Sequence, residues 1–207
     1  MIQVLLCCLI AYVIGSIPTG WIITYLVTKK DIRREGSGNI GATNVFRVAG
    51  KKWGISCLIL DMLKGLIPVL LVKNFITSSI FPSIVFDQVL VAVATIIGHS
   101  MSIFLKFMGG KGVATTCGAI MGVFPLAMGS AFLTWFVLVF VTRYVSLASI
   151  IAALSYLVWF YLYYKHIDFF IPMLGVSVFV VSLIIFRHKA NIGRLVRGEE
   201  LRFGSKK

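Results

Sequence analysis

Long runs almost free of charge dominate this sequence, at residues 4–27, 53–72, 84–104, 144–164 and 169–186. Each is close to the ~20 residues that a helix needs to cross the hydrocarbon of a bilayer. Backbone polar groups in hydrocarbon must be satisfied internally, so such runs read as helices. Mean hydropathy is +0.98, and 13% of residues are charged, about half the share of a soluble domain. The expectation is an all-α polytopic membrane protein forming one integral membrane domain over residues 1–207. The first run resembles a signal-peptide core. It has no basic segment before it and no small-residue cleavage site after it, so a retained helix is expected.

A further uncharged stretch, residues 113–142, is long for one span and short for two. Charge placement decides how to count it. The net charge of +13 suits nucleic acid in the abstract, but the basic residues crowd the loops beside apolar runs, as the positive-inside rule requires. No nucleic-acid partner is expected. Local attraction of anionic lipids or substrates can coexist with that topological role. Lys29, Lys30, Arg33, Arg34, Arg47, Lys51 and Lys52 lie in the first loop, and Arg187, Lys189, Arg194, Arg197, Arg202, Lys206 and Lys207 in the tail. Both groups belong on the cytoplasmic side only if the number of spans is odd. Splitting residues 113–142 near Gly122–Pro125, where proline removes an amide donor, gives seven transmembrane helices, the N-terminus outside and the C-terminus cytoplasmic. The two halves are short, so tilting or an incomplete crossing is expected of one of them. Lys106, Lys111 and Arg143 then also face the cytoplasm.

Polar, glycine-rich segments converge on that same side. Gly36-Ser37-Gly38-Asn39-Ile40-Gly41-Ala42-Thr43-Asn44 offers tight turns and backbone amides for an anion nest, and Arg47 a bidentate fork for phosphate. An ordinary polar loop is the plainer alternative. Gly109-Gly110-Lys111-Gly112 stands where an apolar helix resumes, so helix-start amides and the Lys111 charge favour an anion. It is not a nucleotide-binding P-loop: Gly112 follows Lys111 where that motif needs Ser or Thr, and the glycine spacing differs. In Arg187-His188-Lys189-Ala190-Asn191-Ile192-Gly193-Arg194-Leu195, a continued last helix puts His188, Asn191 and Leu195 on one face. Either a hydroxyl-bearing ligand or lipid headgroups would suit it.

Asp61 and Lys64 lie i,i+3 inside the second span, where charges are costly and usually paired. They read as a structural ion pair, as support for a polar site, or, third, with Asp61 as a base that Lys64 would weaken. Gly15-Ser16-Ile17-Pro18-Thr19-Gly20 interrupts the first span, as a kink or a point of close approach. His166 falls beside an aromatic girdle and reads as structural. Cys7, Cys8, Cys57 and Cys117 show no metal spacing and read as small apolar residues.

Together these segments resemble the bacterial acyl-phosphate:glycerol-3-phosphate acyltransferase family. The matching pieces are Gly15-Ser16-Ile17-Pro18, Ile32-Arg33 through Asn44 with Arg47, Asp61-Met62-Leu63-Lys64-Gly65, Gly98-His99, Phe107 with Gly109 through Thr115, and Arg187 through Leu195. They occur in family order over nearly the whole chain. The resemblance implies seven helices with the site at the cytoplasmic face of the bacterial plasma membrane. It implies acyl transfer from acyl phosphate to the first hydroxyl of glycerol 3-phosphate, giving lysophosphatidic acid and inorganic phosphate. Neither a cofactor nor a metal ion is implied, nor an obligate protein partner; the partners are the two substrates and membrane lipid. His-x-x-x-x-Asp, the motif of other glycerolipid acyltransferases, is absent after His99 and His188. By resemblance, Ser37, Arg47, Lys111, His188 and Asn191 are catalytic. Gly36, Ser37, Gly38, Asn39, Asn44, Arg47, Gly109, Gly110, Lys111, Gly112, His188, Asn191 and Arg194 bind substrate. The competing class is a small-anion transporter, which would place its determinants near the midplane and between repeats; no repeat is visible here.

Overall fold

The computed structural model describes residues 2–77, 79 and 81–204. Among these, every regular element is helical. The chain divides into two compact units, residues 1–123 and 124–207. Six helical segments are long and apolar enough to cross a membrane: Ile2–Thr28, Lys51–Asn74, Ile84–Leu105, Pro125–Thr142, Val145–Tyr164 and Phe170–Arg187. The protein is therefore an integral membrane protein with several apolar helices.

The first unit holds α1 (Ile2–Ser16), α2 (Thr19–Thr28), α3 (Ala42–Ala49), α4 (Lys51–Leu71), α5 (Ile84–Ser100) and α6 (Val113–Met121). The first span is α1 and α2 in tandem, broken where Pro18 brings no amide hydrogen to the helical ladder. Lys29 ends α2 in the left-handed region, returning its N–H to the Tyr25 carbonyl. Between spans there is little hydrophobic force, so small residues that let backbones touch do much of the packing. A Cβ on Gly15 would collide with the Thr95 carbonyl, and one on Gly98 with that of Tyr12, which joins α1 to α5. Gly65 against Thr115 and Gly118 against Met62 join α4 to α6 in the same way. Buried hydroxyls reinforce the first contact: Ser16 donates to the Gly98 carbonyl at 3.2 Å, and Ser102 donates to that of Ser16.

Residues 113–142 split where expected. α6 ends at Met121, and Pro125 opens the next helix at its first turn, where a missing amide costs nothing. The two parts are unequal. α6 has 9 residues, roughly 14 Å of helix, and does not reach across ~30 Å of hydrocarbon. It lies along the second half of α4, its end at Gly122 set against Val69 and Leu66.

The second unit holds α7 (Pro125–Thr142), α8 (Val145–Tyr164), α9 (Phe170–Arg187) and α10 (Lys189–Val196). α7 and α8 form a hairpin turned by Arg143 in the left-handed region. Phe160 is fully buried, with Phe124 edge-on at 4.9 Å and Phe170 stacked at 5.7 Å. The last span does not continue as one helix: His188 closes α9 and opens α10. The segment after α10 returns to the α7–α8 turn, where the Phe203 N–H donates to the Arg143 carbonyl at 2.7 Å. Cys57 and Cys117 are buried, Cys7 and Cys8 half-buried, and all four are free thiols, in keeping with their reading as apolar fillers.

Candidate active site

The glycine-rich loop of residues 36–44 is built around one buried amide. Asn44 is 2% exposed. Its Oδ1 accepts the Ser37 N–H at 3.0 Å, and its Nδ2 donates to the carbonyls of Ile32, Glu35 and Asn39. Gly36 and Gly38 take positive φ, +57° and +70°, and a Cβ on Gly36 would collide with Asn44 Oδ1. The expected anion nest is not made by these amides in this conformation. Ser37 donates to Asn44, Gly38 to the Glu35 carbonyl, and Gly41 to Asn39 Oδ1. Buried backbone donors take the nearest acceptor, and the loop supplies its own. What the loop presents is the exposed Ser37 and, one helical turn past Asn44, the half-buried Arg47 on α3. α3 starts at Gly41 without a side-chain cap; the Asn44 N–H returns to the Gly41 carbonyl at 2.9 Å, so it is the helix amides before Asn44 and the positive end of the helix that stay available to an anion. Asn39 and Asn44 hold the loop's shape.

The second loop, residues 101–112, folds back onto the end of α5. The Gly109 N–H donates to the Ser100 carbonyl at 3.2 Å and that of Gly110 to the His99 carbonyl at 3.0 Å. Those two amides are likewise spent within the protein. Lys106, Phe107 and Gly112 have positive φ. Gly112 then caps α6 in the left-handed region, which leaves the first-turn amides of α6 beside the half-buried Lys111. Both loops are fastened to α4: Gly54 accommodates Phe46 of α3, and Gly65 accommodates Thr115 of α6, roughly 16 Å apart along the helix.

Between those anchors α4 carries Asp61, 1% exposed. Its Oδ1 accepts from Thr19 Oγ1 and from Lys64 Nζ at 2.8 Å, and it lies 3.7 Å from His99 Nδ1. Lys64 also donates to the Ile17 carbonyl at 2.8 Å, beside the break in the first span. The i,i+3 ion pair expected from sequence is therefore present, and two further spans contribute to it.

In the second unit His188 and Asn191 are 2% and 5% exposed. His188 Nδ1 is 2.8 Å from the Ile184 carbonyl. A carbonyl only accepts, so Nδ1 carries the hydrogen and a neutral ring keeps Nε2 as its acceptor. Glu200 gathers three donors: Ser146 Oγ at 2.7 Å, Asn191 Nδ2 at 2.6 Å and Arg194 Nε at 2.7 Å. Burial pushes its carboxyl up, but the bonds from Ser146, Asn191 and Arg194 outweigh this and hold it below its ordinary value. Glu200 and Ser146 had no place in the expected site. Glu200 lies past the motif, and nothing in the apolar sequence around Ser146 marks it.

Of the expected site residues, Gly36 through Arg47 and Gly109 through Gly112 belong to the first unit; His188, Asn191 and Arg194 belong to the second. Among the described residues, no group of three or more His, Cys, Asp or Glu is arranged to hold a metal ion.

A membrane-embedded helical scaffold with two cation-bearing glycine loops and a His/Asn/Arg helix has counterparts. A family model described as glycerol-3-phosphate acyltransferase matches residues 5–198. The glycerol-3-phosphate acyltransferase of Desulforamulus reducens is 46% identical over 198 residues, covering 95% of this chain and 94% of that one. That of Syntrophotalea carbinolica is 47% identical, covering 94% and 95%. Among solved structures, PlsY (YgiH), an integral membrane glycerol 3-phosphate acyltransferase, superimposes in its glycerol 3-phosphate form with a TM-score of 0.85, 40% identity and coverage of 97% and 96%. Its lysophosphatidic acid form gives a TM-score of 0.82 and 39% identity, covering 97% and 95%. The chain belongs to the glycerol-3-phosphate acyltransferase family.

Proposed function

We propose that this protein transfers an acyl group from acyl phosphate to the sn-1 hydroxyl of glycerol 3-phosphate. The products are 1-acylglycerol 3-phosphate and inorganic phosphate, and the reaction is the first step of phospholipid synthesis. The observation that carries this reading is end-to-end similarity to relatives named for glycerol 3-phosphate acylation, including a solved structure in substrate and product forms. The acyl-phosphate donor suits the chemistry of the chain: phosphate is already a competent leaving group, and among the described residues no side-chain base is bonded to Ser37 to make it an acyl carrier.

The chain acts as one domain over residues 1–207, in the bacterial plasma membrane, with its N-terminus outside and its loops and tail cytoplasmic. α6 together with the loop before it makes the seventh crossing, the helix alone being too short. The loop that carries Lys111 makes up for its shortness by returning along α5 before α6 begins.

The enzyme's task is to hold two anions together despite their repulsion and to align hydroxyl with carbonyl. Ser37, Arg47 and the start of α3 receive one phosphoryl group; Lys111 and the start of α6 receive another. Gly36, Gly38, Asn39 and Asn44 shape the first loop, and Gly109, Gly110 and Gly112 the second. His188, Asn191 and Arg194 hold glycerol 3-phosphate. The same cations stabilise charge as the carbonyl becomes tetrahedral. The hydroxyl proton passes to a substrate phosphate; His188 Nε2 is the alternative acceptor. The acyl chain lies among apolar side chains and arrives laterally from lipid.

The test is phosphate release by lipid-reconstituted protein given palmitoyl phosphate, with and without glycerol 3-phosphate, the lipid product being identified by mass. Release that depends on glycerol 3-phosphate with stoichiometric 1-acylglycerol 3-phosphate is expected. Lys111→Ala is expected to lower turnover by about 10²–10³-fold while the protein stays folded. Absence of acyl transfer by folded protein would overturn the reading in favour of anion flux.

A further inference from the structure

We infer that Asp61 and His99 form a positioning couple that fixes the Gly109–Gly112 loop, and with it Lys111, for the phosphoryl group received there; this rests on the acyl-transfer reading above. His99 holds the loop twice. Its carbonyl accepts the Gly110 N–H at 3.0 Å. Its ring fills the space beside Gly110, where a Cβ would collide with Nε2. The other ring nitrogen, Nδ1, faces Asp61 Oδ1 at 3.7 Å. The imidazole is thus clasped between a carboxylate on α4 and the glycine that precedes Lys111.

The loop needs such a clasp. Lys106 and Phe107 sit at φ +52° and +63°, a region that costs residues other than glycine free energy and persists only when the surroundings impose it. Asp61, for its part, does more than neutralise Lys64. An i,i+3 pair on one helix requires nothing from other spans, yet Thr19 of α2 and His99 of α5 both converge on the same oxygen. Buried ion clusters are weak stabilisers compared with apolar packing. The return on this one is geometric: the break in the first span, the middle of α4 and the end of α5 are held in register, and the loop hangs from the last of these.

Steady-state kinetics and hydrogen exchange on reconstituted Asp61→Asn, His99→Ala and His99→Asn test the couple. His99→Ala is expected to raise KM for glycerol 3-phosphate or palmitoyl phosphate at least tenfold, with kcat changed less than threefold. Exchange of amides 107–116 should quicken at least tenfold while α1 and α8 keep wild-type protection. His99→Asn, whose amide stands in for Nδ1, should recover part of both. Asp61→Asn should resemble His99→Ala. Should it fail to fold, Thr19→Val, which removes one donor to Asp61, is expected to give the same pattern at smaller amplitude. Wild-type KM and wild-type loop exchange in the folded variants would overturn the inference. So would exchange that quickens uniformly along the chain with kcat falling, since that marks a general structural role. If the wild-type protein itself transfers no acyl group, the reaction reading falls, and loop exchange alone decides whether the clasp exists.

Discussion

Asp61 and Glu200 perform the same task in different places, one inside a span and one on the tail beyond the last span. Each carboxylate gathers donors, at least one of them distant in sequence: Asp61 from Thr19 and Lys64, with His99 Nδ1 at 3.7 Å, Glu200 from Ser146, Asn191 and Arg194. Asp61 lies in the middle of an apolar span, where Lys64 comes from the same helix and Thr19 and His99 are brought in by others. Glu200 lies beyond the last span on a tail that folds back; Ser146 and Asn191 beside it are buried, and Arg194 is partly exposed. Location therefore sets what each is worth. In the span, a lost partner strands a charge far from any replacement; in the tail, the partly exposed Arg194 keeps one partner in reach of water.

That contrast fixes an order of effects. Asp61→Ala should be the most damaging, at about 3–5 kcal/mol, because Lys64 is left uncompensated in a low-dielectric site; a denaturant titration in detergent measures it. A loss below 1 kcal/mol would erase the contrast. Replacing both members, Asp61→Leu with Lys64→Met, should bring stability back to within about 1 kcal/mol of wild type while the loop stays misplaced and KM stays high. Glu200→Gln should cost less, about 1–3 kcal/mol, as its donors lose a charged acceptor.

Glu200 also carries a pH signature. Its carboxyl is held below its ordinary value of 4.5 in the folded protein, so the unfolded chain binds the proton more readily. Its contribution is complete above about pH 4.5 and is lost as pH falls through the lowered folded value. Thermal melts of Glu200→Gln should lose that acid-side decline and keep the wild-type slope between pH 6 and 8. The smallest effect belongs to Asp31, on the surface before α3. Its carboxyl is pulled to about 2, chiefly by the side-chain hydrogen bond from Arg33. The pair is solvent-exposed, and Asp31→Asn should cost less than about 1 kcal/mol, a difference that is present above pH 3.8 and fades as pH drops from 3.8 toward 2.

Hydropathy located the spans to within a few residues, because the length of hydrocarbon to be crossed is a property of the lipid and not of the fold. The break before Pro125 was legible for the same local reason: a residue without an amide hydrogen belongs in a first turn. The Asp61–Lys64 pair was legible from helical spacing. Thr19 and His99 as partners of Asp61 were not, since nothing in an apolar pattern says which face of one span meets which face of another. Glycines 36–41 and 109–110 stand out in sequence, but the amides of Ser37, Gly38, Gly41, Gly109 and Gly110 are bonded within the protein in this conformation. The sequence shows where donors are plentiful. It does not show that Asn44, or the carbonyls of His99 and Ser100, will claim them first. Likewise, helical spacing joined His188 to Leu195 on one face, whereas the chain turns at His188 and lets Glu200 reach Asn191.

The break at Ile17–Pro18 has a consequence for how the chain is made. The first span enters the bilayer with the Ile17 carbonyl and the Thr19 hydroxyl facing inward, and both find their partners on α4. α4 in turn brings Asp61 and Lys64, each costing about 2.5–3.5 kcal/mol at the centre of a lone helix. Neither segment is comfortable alone in lipid. These two spans are thus complementary halves of one buried polar site, and α4 partitions most readily once the broken helix is there to receive it.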